Sequence, residues 1–161
     1  MIEETKVKKI MENIEVLSKE LGYPITKSDY QIDFLDCPHE WPKTLPKGYV
    51  GIYMFFYQGK ALKIGKANAN SKSRFTSQHY RFNAKSTLAK SIRDDDDIQF
   101  DNKENQDVVK DWIKANTSRI NIMVKINPEY RTEKAITELI ETVMHFAFRP
   151  KYEGALYYSK K

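Results

Sequence analysis

The run Gly51-Ile52-Tyr53-Met54-Phe55-Phe56-Tyr57-Gln58-Gly59-Lys60-Ala61-Leu62-Lys63-Ile64-Gly65 decides how this chain is read. Its first arm, counted from Tyr49 and Val50, is dense in β-branched and aromatic residues. Short arms on either side of an X-Gly pair predict a β-hairpin that turns at Gln58-Gly59. Successive side chains of a strand point to opposite faces. Val50, Ile52 and Met54 therefore share one face, and Gly51, Tyr53 and Phe55 the other. On the return arm Leu62 and Ile64 are expected on one face, and Ala61, Lys63 and Gly65 on the other. Turning the apolar sets toward the core leaves Tyr53 and Lys63 together on the opposite face, flanked by Gly51 and Gly65. Glycine inside a strand marks a close approach of ligand or backbone. That face reads as a phosphate-reaction surface, with a phenol and an ammonium beside bare backbone.

Before the hairpin, residues 2–21 carry Ile10, Ile14, Leu17 and Leu21, with Val7 one turn earlier, which predicts an amphipathic helix stopped by Gly22 and Pro24. Residues 23–48 hold four of the six prolines (Pro24, Pro38, Pro42, Pro46) and read as an extended, ordered connection with Phe34, Leu35 and Trp41. After the hairpin, a short helix is expected over 71–80, with Asn70 or Ser71 as its cap. Another is expected near 87–93, and another around Val108, Val109, Trp112 and Ile113. Residues 119–126 alternate and read as a third strand. The last long helix falls within 129–148, with Ile136, Leu139, Ile140, Val143, Met144 and Ala147 along one face. Asn127-Pro128 or Thr132 would open it, and Pro150 closes it.

The whole chain has 161 residues, which is about one domain. Its single cysteine, Cys37, excludes an intramolecular disulfide and a multi-cysteine zinc site. His39, close to Cys37 and Glu40, lacks further partners at metal-binding spacing and reads as a packed or surface histidine. No stretch approaches 18 consecutive apolar residues, and the first residues lack a basic segment followed by an apolar one. A cytoplasmic protein with no membrane partner is expected. The net charge of +5 is uneven: residues 94–111 carry −6, so the remainder carries +11. That excess favours a polyanionic partner.

Gly51-Ile52-Tyr53, then nine residues, then Lys63-Ile64-Gly65 resembles the signature of the GIY-YIG nuclease superfamily, with lysine where the second triplet has its tyrosine. Nine residues beyond Gly65 stands Arg74, where the family has an arginine on its first helix. A histidine or tyrosine usually follows four residues later; here that place is Gln78, and His79 and Tyr80 come next. Five residues along an ideal helix is a rotation of about 140°, so His79 meets Arg74 only if the helix ends or distorts there. The segment from Glu141 through Pro150 to Glu153 resembles the family's C-terminal block, with Glu153 in place of an asparagine. The resemblance covers 49–153. It implies an α+β fold, a small antiparallel sheet of about three strands flanked by helices. On this reading 49–155 is the nuclease core with an acidic insertion at 94–118, preceded by an extension at 1–48 and followed by a tail at 156–161.

The implied activity is a divalent-metal-dependent endonuclease that hydrolyses DNA phosphodiester bonds, of restriction, repair or mobile-element type. RNA stays open as the substrate, and a homodimer through the N-terminal extension is the candidate assembly. Glu141 borders the apolar stripe of its helix, with Glu138 one turn earlier. A single carboxylate such as Glu141 can hold one Mg²⁺ or Mn²⁺ that keeps most of its waters. Arg74 suits bidentate contact with phosphate. Tyr53 is the general-base candidate, and Lys63 on the same face would lower its pKa from about 10. His79 is assigned a supporting role at the leaving group or phosphate. Gly65, Lys66, Lys72 and Arg81, with Lys85 and Lys90, are candidate nucleic-acid contacts that position the strand without reading bases. The alternative is a module that keeps the fold and binds nucleic acid with impaired turnover.

Overall fold

The hairpin arms pair, and the turn is at Gln58-Gly59 as expected. Gln58 and Gly59 both take positive φ (+49° and +74°), the requirement of a two-residue type I′ turn. The computed structural model describes residues 2–127 and 133–152. Pro128, Thr132, Glu153 and the tail at 156–161 lie outside the described residues.

The sheet has four strands rather than three: β1 (Tyr30–Leu35), β2 (Tyr49–Tyr57), β3 (Lys60–Ala67) and β4 (Ser118–Lys125), all antiparallel, in the order β1-β4-β2-β3. The added strand, β1, comes from the segment read as an extension. Its prolines hid it, yet Pro24 and Pro38 flank β1 rather than interrupt it. β1 pairs on one side only, with β4, so it forms a sheet edge. The segment before the hairpin thus contributes one strand to the same sheet as the hairpin.

One sheet face is covered by α1 (Ile2–Glu20) and α5 (Glu133–Phe148). Val7, Met11, Ile14, Ile140 and Met144 pack there on Val50, Ile52, Met54, Ile64, Ile120 and Ile122. Each large apolar side chain so buried contributes about 1.5–3 kcal/mol by leaving water. The buried row of α1 is Val7, Met11, Ile14 and Ser18, while Leu17 and Leu21 of the expected stripe are exposed. Ser18 fixes this rotation, because its hydroxyl accepts the Ile25 N–H at 2.9 Å. No described helix is long and apolar enough to cross a membrane.

The opposite face is covered as well. Here lie α2 (Lys72–Phe75), a 3-10 turn at Gln78–Tyr80, α3 (Leu88–Arg93) and α4 (Gln106–Asn116). Phe75, Tyr80, Leu88, Ile92, Val109 and Ile113 pack on Tyr53, Phe55 and Leu62. The expectation of an open reaction surface beside Tyr53 and Lys63 is therefore corrected: β2 is buried on both faces. The near-continuous apolar run from Val50 to Phe56 is what such a strand requires. A bulge between Phe55 and Phe56 also corrects the facing of the return arm. Phe55 opposes Lys63 and Phe56 opposes Ala61, so Leu62 is the extra residue and joins the Tyr53 side, while Ala61 joins Ile64.

The acidic segment is tied down at its start. The Asp95 carboxylate, almost fully buried, accepts from Lys151 Nζ at 2.7 Å and from the Tyr152 hydroxyl at 2.6 Å. The Lys151 and Tyr152 amides in turn donate to the Ala61 and Leu62 carbonyls at 3.0 Å each, along the free edge of β3. Burial would raise the Asp95 pKa, but the hydrogen bonds from Lys151 and Tyr152 prevail and hold it below the ordinary carboxylate value. Asp95→Ala is expected to lower stability by about 1–2 kcal/mol at neutral pH in urea unfolding. A depressed folded-state pKa stabilises above the unfolded value of about 4 and loses that effect as pH falls through the folded value. The gap between wild type and Asp95→Ala should therefore close in acid.

Candidate active site

The site candidates of the hairpin meet on rungs that run across the sheet. Asn121 of β4, Tyr53 of β2 and Gly65 of β3 lie opposite one another, and Arg119, Phe55 and Lys63 make the next rung. All six face the helical layer that contains α2 and the 3-10 turn, because residues directly opposite in a sheet share a face. Tyr53 and Lys63 thus share a face as the alternation predicts.

Gly65 and Gly51 are close-approach positions, but the groups that approach belong to this chain. A Cβ at Gly65 would stand 2.6 Å from Tyr53 Cζ and 2.9 Å from Cε2, with the hydroxyl oxygen nearer still. At Gly51 it would meet the Phe75 ring at 2.5 Å and 2.7 Å. Gly65 is buried under the Tyr53 ring, which corrects its assignment as a nucleic-acid contact.

The expected helix over 71–80 breaks after Phe75, and a separate 3-10 turn starts at Gln78. That break supplies the distortion His79 needs. Its ring packs 4.4 Å from the Tyr53 ring and 5.9 Å from Phe55. From the other side, Arg74 Nε donates to the Tyr53 hydroxyl at 3.3 Å. Arg74 is exposed while Tyr53 is fully buried, so Arg74 links the phenol to the surface. Lys63 is buried and donates to Ser86 Oγ at 3.0 Å. Neither His79 ring nitrogen has a hydrogen-bond partner. Burial, reinforced by the positive charges of Lys63, Arg119 and Arg74, holds the His79 pKa well below the ordinary value, so the ring is neutral.

Glu141 and Lys66 form a second polar feature. Lys66 Nζ lies 2.9 Å from Glu141 Oε2 and 3.5 Å from Glu138 Oε1. Burial alone would lower the Lys66 pKa, but the two carboxylates outweigh it and raise it. The ammonium lies between two carboxylate oxygens, and oxygen is the ligand type that a hard divalent ion takes. No cluster of three or more His, Cys, Asp or Glu side chains suited to a metal occurs among the described residues. Lys66 is engaged with Glu141 and Glu138. Lys72 and Arg81 are exposed, and the Arg81 guanidinium lies 5.4 Å from the centre of the Trp41 ring.

Sequence reasoning missed Arg119, Asn121 and Tyr80, which join the same cluster and which His39 adjoins through Tyr80. Arg119 Nε donates to Asn121 Oδ1 at 2.7 Å. His39 is nearly buried, and both its ring nitrogens are used, on the Thr117 carbonyl at 2.8 Å and the Tyr80 hydroxyl at 2.9 Å. It is a packed histidine, as expected. Arg119 and Asn121 occupy alternate positions of β4, which in sequence look like a solvent-facing side. The usable signal was that these positions fall on the Tyr53 face once β4 pairs with β2. No protein-family model matches this chain, and no curated protein or solved structure matches it either.

Proposed function

We propose that this chain is a divalent-metal-dependent endonuclease that hydrolyses phosphodiester bonds of DNA, of the GIY-YIG type. The observation that carries the reading is the convergence of Arg74 and His79, from the segment that follows the hairpin, on the Tyr53 ring and hydroxyl. Substrate phosphate approaches over exposed Arg74, whose guanidinium takes up phosphoryl charge. Tyr53 is fully buried, so it would accept the proton of the attacking water once Arg74, which donates to its hydroxyl, turns toward the phosphate and the phenol is ionised; the charge of Lys63 favours that ionisation. His79, neutral and without hydrogen-bond partners, has one ring N–H available to donate a hydrogen bond toward the leaving oxygen. Glu141, with Glu138 beside it, would hold one Mg²⁺ or Mn²⁺. If bound there, the ion would supply Lewis-acid charge to phosphoryl oxygens from the α5 side of β3, the face opposite Tyr53.

The test is nicking of supercoiled plasmid with Mg²⁺ or Mn²⁺, comparing wild type with Glu141→Gln. Wild type should nick only with metal, and Glu141→Gln should be slower by at least about 100-fold. One observation favours the second reading, a binding module with impaired turnover: Lys66 already neutralises Glu141. Salt-sensitive DNA binding without metal-dependent nicking would select that reading.

A further inference from the structure

Arg119 carries a positive charge into the interior with none of its surface exposed. Its Nη1 donates to the Tyr80 hydroxyl at 3.4 Å, and its Nη2 donates to the Phe75 carbonyl. The guanidinium carbon lies 4.8 Å from the centre of the Phe55 ring, 5.3 Å from Phe75 and 5.6 Å from Tyr53. No carboxylate among the described residues pairs with it. A cation held out of water without a counter-charge is costly, and burial pulls the Arg119 pKa down. Ring faces and a carbonyl offset part of that cost.

Tyr80 and Tyr53 are the neighbours of Arg119 that can take up a negative charge. Tyr80 is committed elsewhere. The Thr117 carbonyl is only an acceptor, so His39 Nδ1 carries the hydrogen of that bond, and its bare Nε2 accepts the Tyr80 proton. Burial also pushes the Tyr80 phenol up. Tyr53 remains. The groups facing it are Lys63 from β3, Arg74 from α2, His79 and Tyr80 from the 3-10 turn, and Arg119 with Asn121 from β4.

We propose that Arg119 is a positioning residue of this site: its buried charge favours the ionised Tyr53 phenol, and its bond to the Phe75 carbonyl sets the helix from which Arg74 reaches that oxygen. α2 has only four residues and no side-chain cap at its start, so a donor on its last carbonyl fixes where Arg74 points. The consequence for catalysis rests on the nuclease reading; the electrostatic part does not.

The test is a pH titration of the full chain labelled with [¹³Cζ]tyrosine, with the Tyr53 resonance identified by its loss in Tyr53→Phe. Tyr53 should ionise below the ordinary value of about 10. In Arg119→Met its midpoint should rise by at least about one pH unit. Arg119→Lys keeps the charge and loses the fork, and should retain most of the low midpoint. Cleavage should follow, with the ascending limb of the pH–rate profile moving to higher pH and kcat changing more than KM in Arg119→Met. A wild-type midpoint at or above 10 overturns the proposal, as does an unchanged midpoint in Arg119→Met. If Arg119→Met does not fold, the wild-type midpoint decides alone. Loss of the nuclease reading would leave a low Tyr53 midpoint with no cleavage; loss of this proposal would leave cleavage with an ordinary Tyr53.

Discussion

Gly65→Ala is expected to cost about 1–3 kcal/mol of unfolding free energy and to slow cleavage by about 100-fold. The added methyl would lie 2.6 Å from Tyr53 Cζ, so ring or strand must move. The ring has no room to retreat. His79 packs 4.4 Å from it, Phe55 makes an edge contact at 6.2 Å, and Arg119 lies at 5.6 Å. The displacement falls on the hydroxyl that Arg74 holds at 3.3 Å. A double-mutant cycle isolates the cause. In a Tyr53→Ala background the space is open, and Gly65→Ala should then cost only the few tenths of a kcal/mol of an ordinary surface change. Additive costs in urea unfolding would show that the methyl is harmful for some other reason.

This glycine also marks where sequence reading succeeds and where it stops. A bare position inside a β-branched, aromatic strand is a close approach, and the pattern gives that much. Which group approaches depends on the opposing rung: Tyr53 covers Gly65, and Phe75, from a helix 24 residues downstream, covers Gly51. Neighbours along the chain do not contain that information. The hairpin, its turn and the helices α3, α4 and α5 were legible because each follows from local periodicity and capping. Thr87, for example, accepts the Lys90 amide at 3.2 Å, and Asn105 accepts the Asp107 amide at 2.9 Å. β1 alternates apolar and polar residues from Tyr30 to Phe34, one face half-buried and the other exposed, but prolines on both flanks masked it. The bulge at Leu62 was invisible for another reason: a period of two cannot register one extra residue. Of the candidate site, Tyr53, Lys63, Arg74 and His79 come together. Arg119 and Asn121 escaped because polar residues alternating in a strand normally face water, and here a second helical layer covers them.

Wild-type stability should fall steeply between pH 7 and pH 5, chiefly through His79. Burial and the cations Lys63, Arg119 and Arg74 hold its folded pKa well below the ordinary value, while in the unfolded chain it returns to about 6.5. The unfolded state therefore binds more protons throughout that window. His79 contributes its full stabilisation above about pH 6.5 and loses it as pH falls, with a slope approaching about 1.4 kcal/mol per unit. From pH 7 to pH 5 the loss from this residue is at most about 2 kcal/mol. Burial lowers the pKa of His39 as well, which adds in the same direction. Carboxylates titrate mostly below about pH 5, so the window isolates histidine. His79→Phe keeps an aromatic ring against Tyr53 and removes two buried nitrogens that have no partner. It should be at least as stable as wild type at pH 7, since an unsatisfied buried polar atom costs about 1–3 kcal/mol. Urea unfolding at pH 7, 6 and 5 should give His79→Phe a shallower decline, with His39 supplying what remains. Parallel declines in the two proteins would mean that His79 is charged in the fold, and the neutral role assigned to it beside Tyr53 would fail with that result.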